Sequence, residues 1–240
     1  MIQPLYEAVI VRVGIGSGMR LLDIGCGAGL FCSMAARQGA RVTGFDAAPA
    51  LIAIARQRTP KGDFQVGEME ELPFPANTFD LVTGFNSFQF AADPLQALRE
   101  ARRVARPRAQ IVIATWGRVE DCEAAGYLAA LKALLPPAPP GAVGSFALSA
   151  TGALEGLLRQ AGLRPSVTEE IDCPWLYRDG AAALRGLMSA GPAVKAIQTS
   201  GEDRVKEAVL KAVAPFRTAT GGYRLRNKFR YVVARRASNP

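Results

Sequence analysis

The sequence contains no histidine. Imidazole is therefore excluded as a general base and as a metal ligand, which removes Ser-His-Asp triads, Cys-His pairs and His-ligated zinc. The four cysteines, Cys26, Cys32, Cys122 and Cys173, include no C-x-x-C pair, so no metal site is predicted. We expect free thiols and a cytoplasmic location.

Long apolar runs are also missing. No uninterrupted apolar stretch approaches the roughly 20 residues that span a bilayer, and the first residues lack a basic-then-apolar secretory pattern. We therefore expect no membrane insertion. The formal net charge of +8 comes mostly from arginines spread along the chain, without a Lys/Arg block or interleaved aromatics. This distribution does not favour nucleic-acid binding.

The 240 residues are 49% hydrophobic and 21% charged, which is enough to bury a full core. Short apolar β-type runs alternate with helical patterns, which predicts an α/β fold with a doubly wound parallel sheet. The predicted strands are 20–24, 41–45, 62–66, 79–85, 110–116, 163–171 and 223–234. Helices are predicted over 29–38, 122–134 and 153–161, and as two or three segments within 179–214. Two more begin at Pro49 and at Pro94, the second after an Asp93 N-cap. A proline-rich linker is predicted at 136–141.

Three glycines, Gly25, Gly27 and Gly29, separate the first strand from its helix. Glycine lets a backbone turn tightly and approach a ligand without Cβ interference, so the turn predicts a nucleotide-type cofactor. A tight turn in any α/β protein is the alternative. The dinucleotide fingerprint needs a further glycine at Leu30, and no tyrosine has a lysine four residues later, so a nicotinamide-dependent reductase is disfavoured.

A carboxylate, Asp46, ends the second predicted strand. In such sheets ligands bind at the carboxyl ends of the strands, where a carboxylate can accept hydrogen bonds from both ribose hydroxyls of a nucleoside. The alternative is an N-cap for the helix that begins at Pro49. We favour the ribose role.

Several stretches together resemble the class I S-adenosylmethionine (SAM) dependent methyltransferases, especially the group related to quinone biosynthesis. They are, in order, residues 22–29 (LDIGCGAG), 42–46 (VTGFD), 66–74 (VGEMEELPF), 79–82 (FDLV) and 100–104 (EARRV). The set is specific although each piece alone is not. Arg106-Pro107-Arg108-Ala109 departs from the usual R-P-G-G turn, away from the cofactor. The segment before Arg20 is short, which implies less complete substrate closure or a truncated gene start.

The resemblance implies a single domain with a seven-stranded, mostly parallel sheet, an antiparallel last strand and helical cap insertions. It implies SAM as cofactor, with the methionine end on Asp23 and Gly25, the ribose on Asp46, and the methionine portion lined by Phe85 and Asn86. The adenine contacts implied are Ala47 and Met69 on its faces and Glu68 at its amino group, where the family commonly has aspartate. The predicted cofactor site is thus Asp23, Gly25, Cys26, Gly27, Gly29, Asp46, Ala47, Glu68, Met69, Phe85 and Asn86.

Aromatic and amide side chains near the strand ends are candidates for a small, aromatic or apolar methyl acceptor: Tyr6, Gln89, Trp116, Trp175, Tyr177 and Tyr223. Ordinary core packing is the alternative for each of them. We divide the chain into an N-terminal helix (1–18), a cofactor core (19–117), the rest of the sheet (118–178 and 222–240) and a helical lid (179–221).

Methyl transfer from a sulfonium needs no protein nucleophile, so no catalytic residue is assigned. An acceptor that loses a proton would use Asp, Glu, Tyr or its own acidity. The chain is expected to act as a monomer or homodimer. An RNA or protein methyltransferase and a non-catalytic SAM-binding regulator remain as alternatives.

Overall fold

The computed structural model describes residues 2–136 and 144–236; of the predicted linker, 137–141 lie outside these residues. The described chain contains nine strands and nine α-helices. The strands are β1 Arg20–Ile24, β2 Arg41–Asp46, β3 Asp63–Val66, β4 Phe79–Phe85, β5 Ala105–Trp116, β6 Leu163–Asp172, β7 Trp175–Tyr177, β8 Tyr223–Leu225 and β9 Lys228–Arg236. The helices are α1 Gln3–Val13, α2 Leu30–Arg37, α3 Pro49–Arg58, α4 Pro94–Val104, α5 Ala124–Lys132, α6 Ala153–Gln160, α7 Gly180–Met188, α8 Gly191–Ser200 and α9 Glu202–Val213.

Seven strands form one sheet in the order β3-β2-β1-β4-β5-β9-β6. The pairs from β3 to β5 are parallel, whereas β9 runs antiparallel to both of its neighbours. The predicted seven-stranded, mostly parallel sheet with an antiparallel last strand is therefore confirmed. The order reverses between β1 and β4, and the carboxyl ends of these two strands lie beside each other, where such folds bind ligands.

Alternating side chains divide the interior into two layers. Leu21 faces a core that contains buried side chains of α1, α2 and α3, whereas the adjacent Leu22 faces a core filled from α4 and α6. Strands buried on both faces read as nearly continuous apolar runs, which is why β1 and β4 have the predicted bounds. Asp93 caps α4 as predicted, because its side chain accepts from the Gln96 backbone N–H.

Three elements differ from the predictions by more than one residue. Strand β5 begins at Ala105, so the predicted turn at 106–109 lies within the strand, where the pairing shifts and Arg108 has a φ of +71°. The predicted helix over 122–134 is shorter at both ends, since α5 spans Ala124–Lys132, and a 3-10 turn, Val119–Asp121, precedes it. The predicted last strand over 223–234 is divided into β8 and β9. Strand β8 pairs with β7 in a separate two-stranded sheet, whereas β9 belongs to the main sheet.

The interruption between β8 and β9 coincides with contacts to α5. Asn227 is buried, and its side-chain oxygen accepts from the Ala124 N–H at 2.9 Å, at the beginning of α5. The backbone oxygen of the adjacent Arg226 accepts from the Glu123 N–H at 2.9 Å. These two residues therefore join the last strands to α5 rather than continuing one ladder.

Helices α7, α8 and α9 pack on α5 through a shared apolar core. The valines Val205, Val209 and Val213 of α9 are fully buried in it together with Tyr127 of α5. The three helices begin and end close to the predicted breaks at Gly191 and Gly201. Among the described residues, no helix has the length and apolar character needed to cross a bilayer.

Candidate active site

The glycine turn follows β1 directly, and its three glycines have positive φ angles of 71°, 53° and 72°. This left-handed conformation is costly for any residue with a Cβ. A Cβ on Gly25 would lie 2.2 Å from the Cβ of Ser87, and one on Gly29 would lie 2.8 Å from the Cβ of Ala55. A Cβ on Gly27 would meet nothing within 4 Å. Packing within the protein therefore explains two of the glycines, whereas Gly27 borders open space.

The carboxylate of Asp46 lies against this turn. One oxygen accepts from the Gly27 N–H at 2.8 Å, and the other accepts from the Ala48 N–H at 2.9 Å. The N-cap of α3 is Ala48, so Asp46 is not the N-cap residue that the alternative interpretation required. A carboxylate has about four acceptor positions, so two remain for donors outside the chain. Asp46 is only half-buried, which leaves these positions accessible.

Asp23, one residue before the end of β1, is a buried carboxylate. Its oxygens accept from the Thr83 hydroxyl at 2.7 Å and contact the Cys32 thiol at 3.9 Å. Burial raises the pKa of Asp23 to about 7, with a further contribution from the negative charge of Asp46, and the two hydrogen bonds only partly oppose this rise. No described lysine or arginine forms an ion pair with Asp23. A cation placed beside Asp23 would stabilise its ionised form.

Three aromatic rings pack together beside Asp23. Tyr6 of α1 contacts Phe85 at the end of β4, with 4.8 Å between ring centroids, and Phe31 of α2 at 5.4 Å. Phe31 and Phe85 are 4.4 Å apart. Burial, with a contribution from Asp23, raises the pKa of Tyr6 above its usual range. Its hydroxyl therefore stays protonated and does not serve as a base.

The sequence places Tyr6 with the predicted acceptor residues and assigns Phe31 no role in the site. The structure instead brings Tyr6 next to two residues of the predicted cofactor site, Asp23 and Phe85. Ser87 was missed altogether, although it packs on Gly25 and its hydroxyl donates to the Ile24 carbonyl at 2.8 Å. No local pattern reveals such a contact, because it joins residues more than 60 positions apart.

The three predicted adenine residues lie at the ends of neighbouring strands. Ala47 follows β2, and Glu68 and Met69 follow β3. The Gly67 N–H donates to the Asp46 carbonyl at 3.2 Å, which holds the two strand ends together. Ala47 and Glu68 are exposed, whereas Met69 packs partly against the core. Cys26 in the turn is buried, and burial raises the pKa of its thiol above its usual range, so this sulfur stays protonated.

The end of β4 carries a strained asparagine and a buried amide. Asn86 has a φ of +52°, and its N–H donates to the Ala114 carbonyl at 2.9 Å. Gln89 is almost fully buried, and its amide nitrogen lies 3.4 Å from the Asn86 side-chain oxygen. The other side-chain atom of Gln89, Oε1, has no hydrogen-bond partner among the described residues. An unsatisfied buried oxygen costs free energy, so it is a candidate to meet a ligand donor.

The other four predicted acceptor residues form two groups. Trp116 and Trp175 are buried with 5.7 Å between ring centroids, and the Nε1 of Trp175 has no partner among the described residues. Tyr177 and Tyr223 are paired across β7 and β8, and burial raises the pKa of Tyr177 to about 12. Tyr6 and these four residues belong to one apolar core, whereas Gln89 follows the end of β4.

Comparison with known proteins adds sequence evidence to this geometry. A family model described as "Methyltransferase domain" matches residues 22–113. The chain is 34% identical over 152 residues to a ubiquinone biosynthesis O-methyltransferase from Cereibacter sphaeroides, covering 62% of this chain and 61% of that protein. It is 38% identical over 106 residues to a malonyl-[acyl-carrier protein] O-methyltransferase from Serratia marcescens, covering 43% of this chain and 42% of that protein. The chain thus spans less than two thirds of these relatives.

Among solved structures, the [4+2]-cyclase SpnF is similar with a TM-score of 0.64 at 20% identity, covering 98% of this chain and 81% of that one. At this identity the likeness concerns the fold alone, and the stated cyclase activity differs from that of the sequence relatives. The matched segment, however, contains the whole glycine turn, Asp23, Asp46 and the end of β4. Residues 22–113 thus match a methyltransferase domain, and the predicted resemblance to the class I SAM-dependent methyltransferases is confirmed.

Proposed function

We propose that this protein transfers the methyl group of SAM to a small apolar or aromatic acceptor. The observation that carries the proposal is the open space at Gly27 beside the accessible carboxylate of Asp46. A glycine turn leaves room for the ribose of adenosine, and a carboxylate at the adjacent strand end can accept hydrogen bonds from its hydroxyls. When bound, SAM supplies an activated methyl group on a sulfonium sulfur.

The residues present fit the charged end of this cofactor. Asp23 is buried and has no cationic partner among the described residues, so the α-ammonium group of a methionine moiety is a suitable counter-ion. The rings of Tyr6, Phe31 and Phe85 exclude water from the space beside it. Ala47, Glu68 and Met69 are proposed to hold the adenine.

For the transfer itself, we propose that the chain aligns and desolvates the acceptor rather than activating it through a strong base. The chain has no histidine, and Tyr6 stays protonated. An acceptor whose own oxygen ionises readily meets this constraint. The names of the relatives specify O-methylation, which favours an oxygen acceptor.

The acceptor is proposed to bind beyond the end of β4, where Gln89 has an unsatisfied oxygen. We further propose that α7, α8 and α9 cover it as a lid that is packed into the core of the protein. The four described cysteines are all buried and free, which suits a reducing compartment such as the cytoplasm. We propose that the protein acts on a small molecule as a monomer or homodimer.

Isothermal titration with SAM, comparing the wild type with Asp46→Asn, tests the cofactor site. The amide of the variant replaces one acceptor oxygen with a donor, so we expect affinity to fall by about 10- to 100-fold, the loss of one or two charge-assisted hydrogen bonds. Asp63→Asn, an exposed acid at the beginning of β3, is the matched control and should bind like the wild type.

S-adenosylhomocysteine release is then measured across a panel of phenols, hydroxylated aromatics and carboxylic acids. Release that depends on one acceptor and is lost in Asp46→Asn supports the proposal. A wild type that does not bind SAM refutes it. Tight SAM binding without release on any acceptor would instead support the non-catalytic alternative.

A further inference from the structure

A cavity of about 760 Å³ lies between α5, α8 and residues 144–147. Its volume is within the range of about 300–1,000 Å³ that is usual for small-molecule sites. Most of the described lining residues are apolar, and most of them lie on α5, in residues 144–147 and at the beginning of α8. Leu128, Leu131, Leu135, Phe146 and Pro192 are among these residues.

The cavity adjoins the proposed acceptor position. Phe90, which lines it, directly follows the buried Gln89, and Val119 comes shortly after the end of β5. Phe146 contacts Trp116 at 5.3 Å between ring centroids. Phe90 is 58% exposed and Val119 is 48% exposed, so large apolar side chains remain uncovered at the boundary. The cavity therefore borders the carboxyl ends of both β4 and β5.

The charge of the lining has one sign. Lys132 in the last turn of α5 and Lys195 in α8 are the only charged residues among the described lining residues, and both are exposed. Neither forms an ion pair with any residue that the structure describes. Lysine can lay its aliphatic stem along apolar surface while its ammonium group stays in water. Two ammonium groups beside an apolar cavity favour a ligand that combines an apolar body with an anionic group.

We infer that this cavity binds the apolar body of an amphipathic anion and that Lys132 and Lys195 contact its carboxylate or phosphate. This inference rests on the proposed function, because it assigns the anion as the substrate class of the methyl acceptor. The acceptor oxygen would then lie near Gln89, and the rest of the molecule would extend between α5 and α8.

The binding test uses dodecanoate, dodecyl phosphate, dodecanol and dodecyltrimethylammonium below their micellar concentrations, measured by displacement of a fluorescent apolar probe. We expect one site per chain, with both anions bound at least about 10-fold more tightly than the alcohol and the cation bound most weakly. A higher salt concentration should weaken binding of the two anions and leave binding of the alcohol unchanged. Tighter binding of the phosphate or of the carboxylate identifies the preferred anionic group.

The double variant Lys132→Met with Lys195→Met removes both charges and keeps the apolar stems. It should lower dodecanoate affinity by about 5- to 10-fold, because exposed charges contribute modestly, and leave dodecanol binding unchanged. The matched control is Lys206→Met with Lys211→Met, two exposed lysines of α9 that do not line the cavity. It should bind all four probes like the wild type.

A second pair of variants tests the cavity itself. Ala129→Trp places a large ring on the lining and should weaken dodecanoate and dodecanol alike, whereas Gly126→Trp on the same helix projects into open space and should not. Equal binding of all four probes, or no effect of Ala129→Trp, would overturn the inference. So would a wild-type dimer that dissociates with Ala129→Trp, since the cavity would then be a contact between two copies. SAM titration of the same preparations separates failure of the cofactor site from failure of this cavity.

Discussion

Between residues 20 and 116 the site is built largely from backbone, whereas between residues 117 and 236 it is built from side chains on helices. In the first region the main features are glycine φ angles, strand ends and N–H groups that donate to Asp46. In the second they are apolar side chains and two lysines around a cavity. The family model matches residues 22–113, so it ends where the first region ends.

This difference separates what is general from what is particular to the chain. A cofactor that is the same in many enzymes can be held by a strand-to-helix turn, which needs only glycine and a carboxylate. An acceptor must be recognised by shape and charge, which depend on individual side chains. We therefore expect substitutions at the glycine turn and Asp46 to affect SAM binding, and those in the second region to affect the acceptor alone.

The largest effect is expected from Gly27→Leu. Its side chain would enter the open space beside Asp46, so SAM affinity should fall by more than about 100-fold. The left-handed φ of +53° should also cost about 1–2 kcal/mol of stability. Isothermal titration measures the first effect, and urea unfolding measures the second.

Gly152→Leu is the matched control, because Gly152 has a φ of +78° and a Cβ there also meets nothing within 4 Å. It should lose similar stability and keep full SAM affinity. If both variants bind SAM like the wild type, the space at Gly27 does not hold the cofactor and the contrast between the two regions fails.

The two regions also differ in how much of them the sequence predicts. Strands β1 and β4 have the predicted bounds, because strands buried on both faces produce apolar runs that end at turn residues. Strand β7 is not predicted, because three residues are too short to carry a period, and β8 is predicted only as the start of a longer last strand. The interruption of the predicted last strand at Arg226 and Asn227 depends on a contact of Asn227 with α5, which only the folded chain contains.

Within the site, sequence predicts the residue types that the backbone needs and not the contacts that side chains make. The glycine turn and Asp46 were identified from spacing, and the structure brings them together. The ring contacts that Tyr6 makes with Phe31 and Phe85 depend on how α1 and α2 pack on β4, and no local sequence pattern predicts this packing. The grouping of the two tryptophans depends likewise on long-range packing.

A smaller effect in the first region concerns pH. Burial raises the pKa of Asp23 from 3.8 to about 7, so the folded state retains a proton that the unfolded state releases between these values. Stability should therefore fall as pH rises from about 4 to 7 and then level off. Asp23→Asn should remove this slope and raise stability at pH 8 by on the order of 3 kcal/mol. It should also lower the affinity for SAM by about 10-fold.

Urea unfolding at several pH values measures the slope, and the absence of histidine leaves few other groups that titrate between pH 5 and 7. Asp80→Asn is a control of opposite sign, because hydrogen bonds from Arg20 and Arg106 hold the pKa of Asp80 below its usual range. The change in stability caused by Asp80→Asn should appear only below about pH 4. SAM binding below pH 7 should also release a proton, seen as a buffer-dependent heat, and no release would argue against an ammonium group beside Asp23.

The smallest effect is expected in the second region, from Trp175→Phe. This change removes a buried N–H that has no partner among the described residues and keeps an aromatic ring in the cluster with Trp116. Because no hydrogen bond to the chain is lost, the stability cost should be about 1 kcal/mol, for lost ring volume. SAM affinity should be unchanged, and the KM of the acceptor identified by the panel should rise by about 3-fold if it accepts from this N–H.

Tyr127→Phe supplies the contrast, because its ring lies 6.2 Å from Trp175 and its hydroxyl already donates to the Leu187 carbonyl at 2.7 Å. Removing this hydroxyl breaks one of two hydrogen bonds to that carbonyl, which also accepts from the Ala190 N–H at 3.3 Å. The change should cost about 1 kcal/mol of stability and leave the KM unchanged. An unchanged KM in Trp175→Phe would place this tryptophan in the core alone. A loss of SAM affinity in either variant would mean that the helical region also supports the cofactor, and the division between the two regions would have to be withdrawn.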